Sequence, residues 1–123
     1  MELPANFMLT DLIGKPFLDG GRGPDEFDCW GLASAFFKRM NIKLPDYRIP
    51  ALESEKIFHQ YQTVKNNYIQ ITNREDSIPC LVFMRLNSAV GNHVGVYLGN
   101  GKFIHARASA GVCIERLDHP VYR

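Results

Sequence analysis

Phe27-Asp28-Cys29-Trp30-Gly31-Leu32 is the stretch from which the fold is read. An apolar run at helical spacing follows it: Leu32, Ala33, Phe36, Phe37 and Met40. Asp28 is a good N-cap, so the pattern predicts a helix that starts at Cys29 and runs to about residue 41. Cys29 then stands in the first turn, where unpaired N–H groups and the positive dipole end favour a thiolate over a thiol. It shares a face with Leu32, Ala33, Phe36 and Met40, so its sulfur points along the buried side. Gly31 is a poor helix former, and its presence predicts a close approach at that point. Taken alone, Cys29 fits a nucleophile and a buried structural cysteine equally well, because free cysteines are among the most buried residues.

Upstream, Phe7, Met8 and Leu12 suit a short helix over residues 5–13, stopped by Gly14. Residues 15–26 form a loop rich in turn formers: Pro16, Gly20, Gly21, Gly23 and Pro24. So many glycines can bring backbone close to a ligand, though a plain connector has the same composition. Downstream, Ile57, Phe58, Tyr61 and Val64 recur at helical spacing within 52–66. His59 lies off that apolar face and reads as a solvated histidine.

The second half changes period. Tyr68-Ile69-Gln70-Ile71-Thr72 and Cys80-Leu81-Val82-Phe83-Met84 read as strands, the latter entered through Pro79. His93-Val94-Gly95-Val96-Tyr97-Leu98 and Lys102-Phe103-Ile104-His105-Ala106 flank Gly99-Asn100-Gly101, a hairpin signal. Val112-Cys113-Ile114-Glu115 is the last expected strand. Helices first and an antiparallel meander after them give an α+β class with about five strands in a single domain, residues 1–123.

The balance of charge narrows the partners. Net charge is +1 and no basic stripe stands out, so no nucleic-acid partner is expected. No long apolar run and no N-terminal apolar region is present, so neither a membrane span nor a signal peptide is expected. Three widely spaced cysteines do not make a disulfide framework, which points to synthesis and folding in the reducing cytoplasm.

A cysteine nucleophile needs a base, and the base needs an orienting group. His93 and His105 lie on adjacent strands of one expected hairpin. If the sheet packs on the Cys29 helix, His93 can take the thiol proton while His105 fixes its tautomer. Register decides this. A three-residue loop with Gly101 in a bulge pairs Leu98 with Lys102, sets Gly95 opposite His105, and puts both histidines on one face. A two-residue Asn100-Gly101 loop without a bulge puts them on opposite faces. A zinc site from Cys29, Cys80, Cys113, His93 and His105 is the rival chemistry, but no close ligand pair exists, so no metal or other cofactor is expected. Cys80 and Cys113 read as core, and His119 has no partner by spacing.

These residues resemble the NlpC/P60 family of papain-like cell-wall cysteine peptidases. The resemblance covers residues 13–117 and rests on three pieces. They are Gly14-Lys15-Pro16-Phe17 with Gly20-Gly21, the Phe27–Leu32 stretch, and the hairpin that carries His93 and His105. Trp30, where most of the family has serine, and Ile42-Lys43-Leu44-Pro45-Asp46-Tyr47 resemble the branch found in phage and prophage tail proteins. The resemblance implies N-terminal helices on an antiparallel sheet. It also implies hydrolysis of an amide bond in peptidoglycan stem peptides, of the γ-D-glutamyl-diaminopimelate or lysine type. It assigns Cys29 as nucleophile, His93 as base and His105 as orienting residue, with Asp28, Trp30, Phe17 and Gly95 toward substrate. Phe17 replaces a common tyrosine, and Ser77-Ile78-Pro79-Cys80 replaces the usual Gly-Asp turn; both bear on substrate preference. The expected place of action is the cell wall, reached in a phage tail or after lysis. The rivals are a tail-assembly component of the same fold with little activity, and an amidase or acyltransferase on the same scaffold.

Overall fold

The computed structural model describes residues 9–47, 54–64, 78–84 and 92–118. Helix α1 spans Cys29–Lys38 and helix α2 spans Ser54–Val64. Four strands follow, β1 (Cys80–Met84), β2 (His93–Gly99), β3 (Lys102–Arg107) and β4 (Gly111–Arg116), in one antiparallel sheet of order β1-β2-β3-β4. The α+β class with helices on an antiparallel sheet is the one expected. The fifth expected strand, at residues 68–72, lies outside the described residues, as does His119. Of the N-terminal helix expected at residues 5–13, residues 9–13 are described. They form a turn, with the N–H groups of Leu12 and Ile13 both donating to the Leu9 carbonyl.

Helix α1 is the organising element. Leu32, Ala33, Phe36 and Phe37 are buried on one side of it, as their spacing requires. Together with Leu12 and Phe27 they pack on Val96, Ile104, Ala106 and Val112. Phe36 and Ile104 are fully buried, and each such side chain is worth about 1.5–3 kcal/mol of transfer free energy. The helix stops three residues short of expectation: Asn41 takes a positive φ of 61° and the Ile42 N–H returns to the Phe37 carbonyl. Helix α2 docks on the same side of the sheet through Tyr61, whose ring stacks on Phe83 at 4.1 Å. His59 is exposed on it.

Alternation along the strands divides the sheet. Leu81, Val96, Ile104, Ala106 and Val112 serve the helical core. The strand partners that place His93 with Met84 and His105 with Cys113 gather the other face. That face also carries Gly95, Tyr97, Phe103 and Glu115. The outer edge of β4 is not bare. Gly14 N–H donates to the Val112 carbonyl and Val112 N–H to the Lys15 carbonyl, so the segment before the glycine-rich loop covers it.

The hairpin turn corrects the expected loop length. Gly99 pairs with Lys102 across a two-residue turn in which Asn100 and Gly101 take φ values of 55° and 76°. Positive φ at both central positions is what the primed hairpin turn demands. A bulge between Tyr97 and Gly99 then absorbs one residue, so Tyr97 pairs with Phe103 and Val96 with Ile104. The expected body register is restored by this route, and His93 and His105 do share a face.

Candidate active site

Asp28 caps α1 as expected. Its Oδ1 accepts from the Gly31 N–H at 2.6 Å and its Oδ2 from the Gly20 N–H at 3.2 Å. Arg22 Nη1 sits 2.7 Å from Oδ1. Asp28 is 4% exposed, and its carboxylate braces the helix start and the loop before it. The glycine-rich loop lies backbone to backbone against that helix start. Asp28 N–H donates to the Gly21 carbonyl, and the same carbonyl fills the space of a Cβ at position 31. The approach expected from Gly31 is therefore made by the chain itself. Arg22 continues outward to Asp46 Oδ1 at 2.9 Å and the Tyr47 carbonyl at 2.8 Å.

Cys29 is a free, half-buried cysteine at this start. Burial pushes its thiol up to about 11, and the Asp28 charge adds to that. Hydrogen bonds from the backbone of Val94, Trp30 and Cys29 itself act in the opposite direction. The helix terminus alone therefore does not produce the thiolate expected from the sequence: desolvation outweighs it. The Val94 bond also places the sulfur beside the residue that follows His93.

His93 Nε2 lies 2.8 Å from His105 Nδ1, with the rings at 71°. His93 is 6% exposed and His105 is fully buried. Burial first, then the neighbouring His105, pushes the His93 imidazole down to about 3. Burial likewise pushes His105 down to about 4, against an upward pull from Glu115. Both rings are thus neutral at pH 7, and the bond between them occupies Nε2 of His93. The nitrogen left for a thiol proton is Nδ1. Gly95 makes room for the pair: a Cβ there would stand 2.7 Å from Phe103 Cδ2 and 3.3 Å from His105 Cβ.

Of the other residues expected at the site, Trp30 is half-buried and donates from Nε1 to the Pro45 carbonyl at 2.7 Å, its ring 5.0 Å from that of Tyr47. Phe17 is half-buried and bridges to Phe27. Cys80 is core, as expected, at 7% exposure. Cys113 is not: it is half-buried on the histidine face, 3.3 Å from Glu115 Oε1.

Glu115 is the residue that sequence reasoning passed over. Its Oε1 stands 3.4 Å from His105 Nε2 and 3.3 Å from Arg107 Nη1. Period-two alternation from Cys113 was the available signal. His105, Cys113 and Glu115 offer ligand atoms within 4.8 Å of one another. The Arg107 guanidinium shares the Glu115 oxygen, however, and sets a fixed positive charge where a cation would have to bind.

The sequence profile of the NlpC/P60 family matches residues 14–123. Over 115 residues the chain is 44% identical to the murein DD-endopeptidase MepS/murein LD-carboxypeptidase of Escherichia coli, covering 93% of this chain and 54% of that protein. Over 119 residues it is 34% identical to the probable endopeptidase YafL of Escherichia coli, covering 94% of this chain and 43% of the relative. The chain thus spans about half the length of these relatives. Among solved structures, NlpC1 from Trichomonas vaginalis superposes with a TM-score of 0.65 at 29% identity, over 93% of this chain and 38% of that one. The NlpC/p60 domain of the peptidoglycan hydrolase SagA matches in fold with a TM-score of 0.64 at 20% identity, over 93% and 87%.

Proposed function

The chain belongs to the NlpC/P60 family, and from that premise we propose that it is a cysteine peptidase cleaving an amide bond in peptidoglycan stem peptides. The observation that carries this reading is the His93–His105 hydrogen bond, with the helix-start thiol held to the backbone of the next residue, Val94. Cys29 is the nucleophile, His93 the base through Nδ1, and His105 its orienting residue. The S–H proton passes to His93 as sulfur attacks the carbonyl carbon. The developing oxyanion is met by backbone N–H groups at the start of α1, including that of Cys29. The leaving amine takes the proton from His93 and departs, giving a thioester. Water, deprotonated by His93, then releases the acid and the thiol.

Trp30 and Tyr47 give this site a half-buried aromatic wall suited to the apolar faces of a stem peptide. Asp28 and Gly95 support it indirectly, through the cap and through clearance for Phe103 and His105. Within this reading we assign the γ-D-glutamyl link to diaminopimelate or lysine as the bond cleaved. The relatives' names include DD-endopeptidase and LD-carboxypeptidase, so each bond has to be scored. Digestion of defined muropeptides, with products identified by mass, does this. The reading predicts γ-D-glutamyl cleavage that is lost in Cys29→Ala; products from another bond would move the assignment, and turnover by Cys29→Ala would end it.

The burial that holds Cys29 protonated favours one second reading, a tail-type component of the same fold with little turnover. Trp30 and residues 42–47 are what support that branch. No product from any muropeptide would select it.

A further inference from the structure

We propose that Glu115 is a positioning residue for the catalytic cysteine, acting through both histidine rings to hold His93 in the tautomer that can accept a proton. The proposal rests on the Cys29–His93–His105 assignment and extends it by one residue.

The geometry forms a chain of acceptors. A neutral imidazole carries one N–H and one bare nitrogen. For His93 to take a proton at Nδ1, its own proton must sit on Nε2. That proton faces His105 Nδ1 at 2.8 Å, so His105 Nδ1 must be bare. The His105 proton then sits on Nε2, 3.4 Å from Glu115 Oε1, an ion-pair contact rather than a close hydrogen bond. A carboxylate accepts and does not donate, so its charge favours a proton on that nitrogen and, through it, the placement of every proton before it. The strands arrange this: Glu115 pairs with Phe103 and His105 with Cys113, one diagonal step apart on one face.

Charge gives Glu115 a second part. When the Cys29 S–H bond breaks and an N–H bond forms at His93 Nδ1, a thiolate and an imidazolium result, and no proton leaves His105 or Glu115. The positive charge then lies in a pair from which burial excludes water. Glu115 acts in its favour at both rings. Among the described residues, the other groups facing the pair are Arg107, which opposes it at both rings, and Cys113, whose Sγ donates to Oε1, while the Cys29 sulfur is held by the backbone of Val94. Arg107 Nη1, at 3.3 Å, competes for the same oxygen. The orienting residue of this chain is a neutral imidazole rather than a carboxylate, and Glu115 supplies the carboxylate one ring further on.

The test follows the histidine resonances by NMR in a Cys29→Ala background, alongside turnover of a muropeptide with Cys29 present. Glu115→Gln keeps an acceptor but removes the charge. At pH 7 it should shift the His93 and His105 ring 15N resonances toward the other tautomer. It should also reduce kcat/KM at least about tenfold with KM unchanged. Unchanged 15N resonances in Glu115→Gln, or an unchanged kcat/KM, overturns the proposal even if the other readout moves. Should Glu115→Gln fail to fold, Glu115→Asp, which keeps the charge but withdraws it from His105, decides: a reduced kcat/KM with KM unchanged supports the proposal and wild-type turnover overturns it. Turnover by Cys29→Ala would instead remove the catalytic assignment, which the NMR readout does not test.

Discussion

The carbonyl oxygen of Gly21 occupies the space that a Cβ on Gly31 would need, so loop and helix α1 are locked together by the absence of one atom. The same carbonyl accepts from the Asp28 N–H, one residue before Cys29. At an open helical position, glycine to alanine is stabilising by roughly 0.5–1 kcal/mol. Here the obstacle is backbone, which cannot step aside as a flexible side chain would. Gly31→Ala should therefore be destabilising, by about 1–3 kcal/mol. Urea denaturation measures it, and a gain in stability would show that the loop does not pack as described.

Gly95→Ala tests the other close approach. Its Cβ would press on Phe103 Cδ2 at 2.7 Å and His105 Cβ at 3.3 Å, on the face that carries the histidine pair. Phe103 is fully buried and cannot yield without moving its neighbours. The expected cost is again about 1–3 kcal/mol, accompanied by a fall in kcat as the His93–His105 bond is distorted. A variant with wild-type turnover would mean that the pair tolerates displacement.

The buried pair also predicts how stability depends on pH. An unfolded chain binds protons at histidine near pH 6.5, whereas His93 and His105 in the fold do so only near 3 and 4. Between those limits the unfolded state holds more protons. The stability contributed by the neutral pair is therefore full above about pH 6.5 and is lost progressively as pH falls toward 4 and then 3. Denaturant midpoints measured from pH 7.5 to 4.5 should decline, and His93→Gln should flatten that decline. Equal slopes in the two proteins would count against neutral buried rings.

Much of this was legible in the sequence, and the exceptions have physical causes. The Asp28 cap, the α1 core face, the limits of β1 and the shared face of the histidines follow from local periods and cap chemistry. The turn was misjudged because a three-residue loop and a two-residue turn with a bulge at Leu98 give the same body register. The Cys29 thiol was misjudged because helix dipoles are local, whereas desolvation depends on what the rest of the chain places around the sulfur. Glu115 is harder to read because alternation from Cys113 gives only its face, and its place beside His105 depends on the β3–β4 register.

Cys29 and Cys113 give a comparison within one molecule. Burial pushes both thiols up to about 11, so neither is reactive on its own near neutrality. In the proposed mechanism His93 takes the Cys29 proton, whereas Cys113 donates to Glu115, whose negative charge opposes a thiolate. Iodoacetamide at pH 7 should label Cys29 at least about tenfold faster than Cys113, and His93→Ala should abolish the difference. Equal rates in the wild-type protein would remove the base role from His93.

Replacing His105 distinguishes orientation from relay. His105→Asn leaves a carbonyl that can accept the His93 Nε2–H, so it should retain more turnover than His105→Ala, which leaves that donor without this acceptor. Neither side chain can carry the effect on to Glu115, which lies 3.4 Å from the far nitrogen of the ring that they replace. The two positions should therefore be coupled. Glu115→Gln should reduce kcat/KM at least about tenfold in the wild-type background and hardly at all in His105→Asn. Full additivity in that double-mutant cycle would place Glu115 outside the chain that ends at Cys29. Equal activity of His105→Asn and His105→Ala, both folded, would take the orienting role from His105 itself.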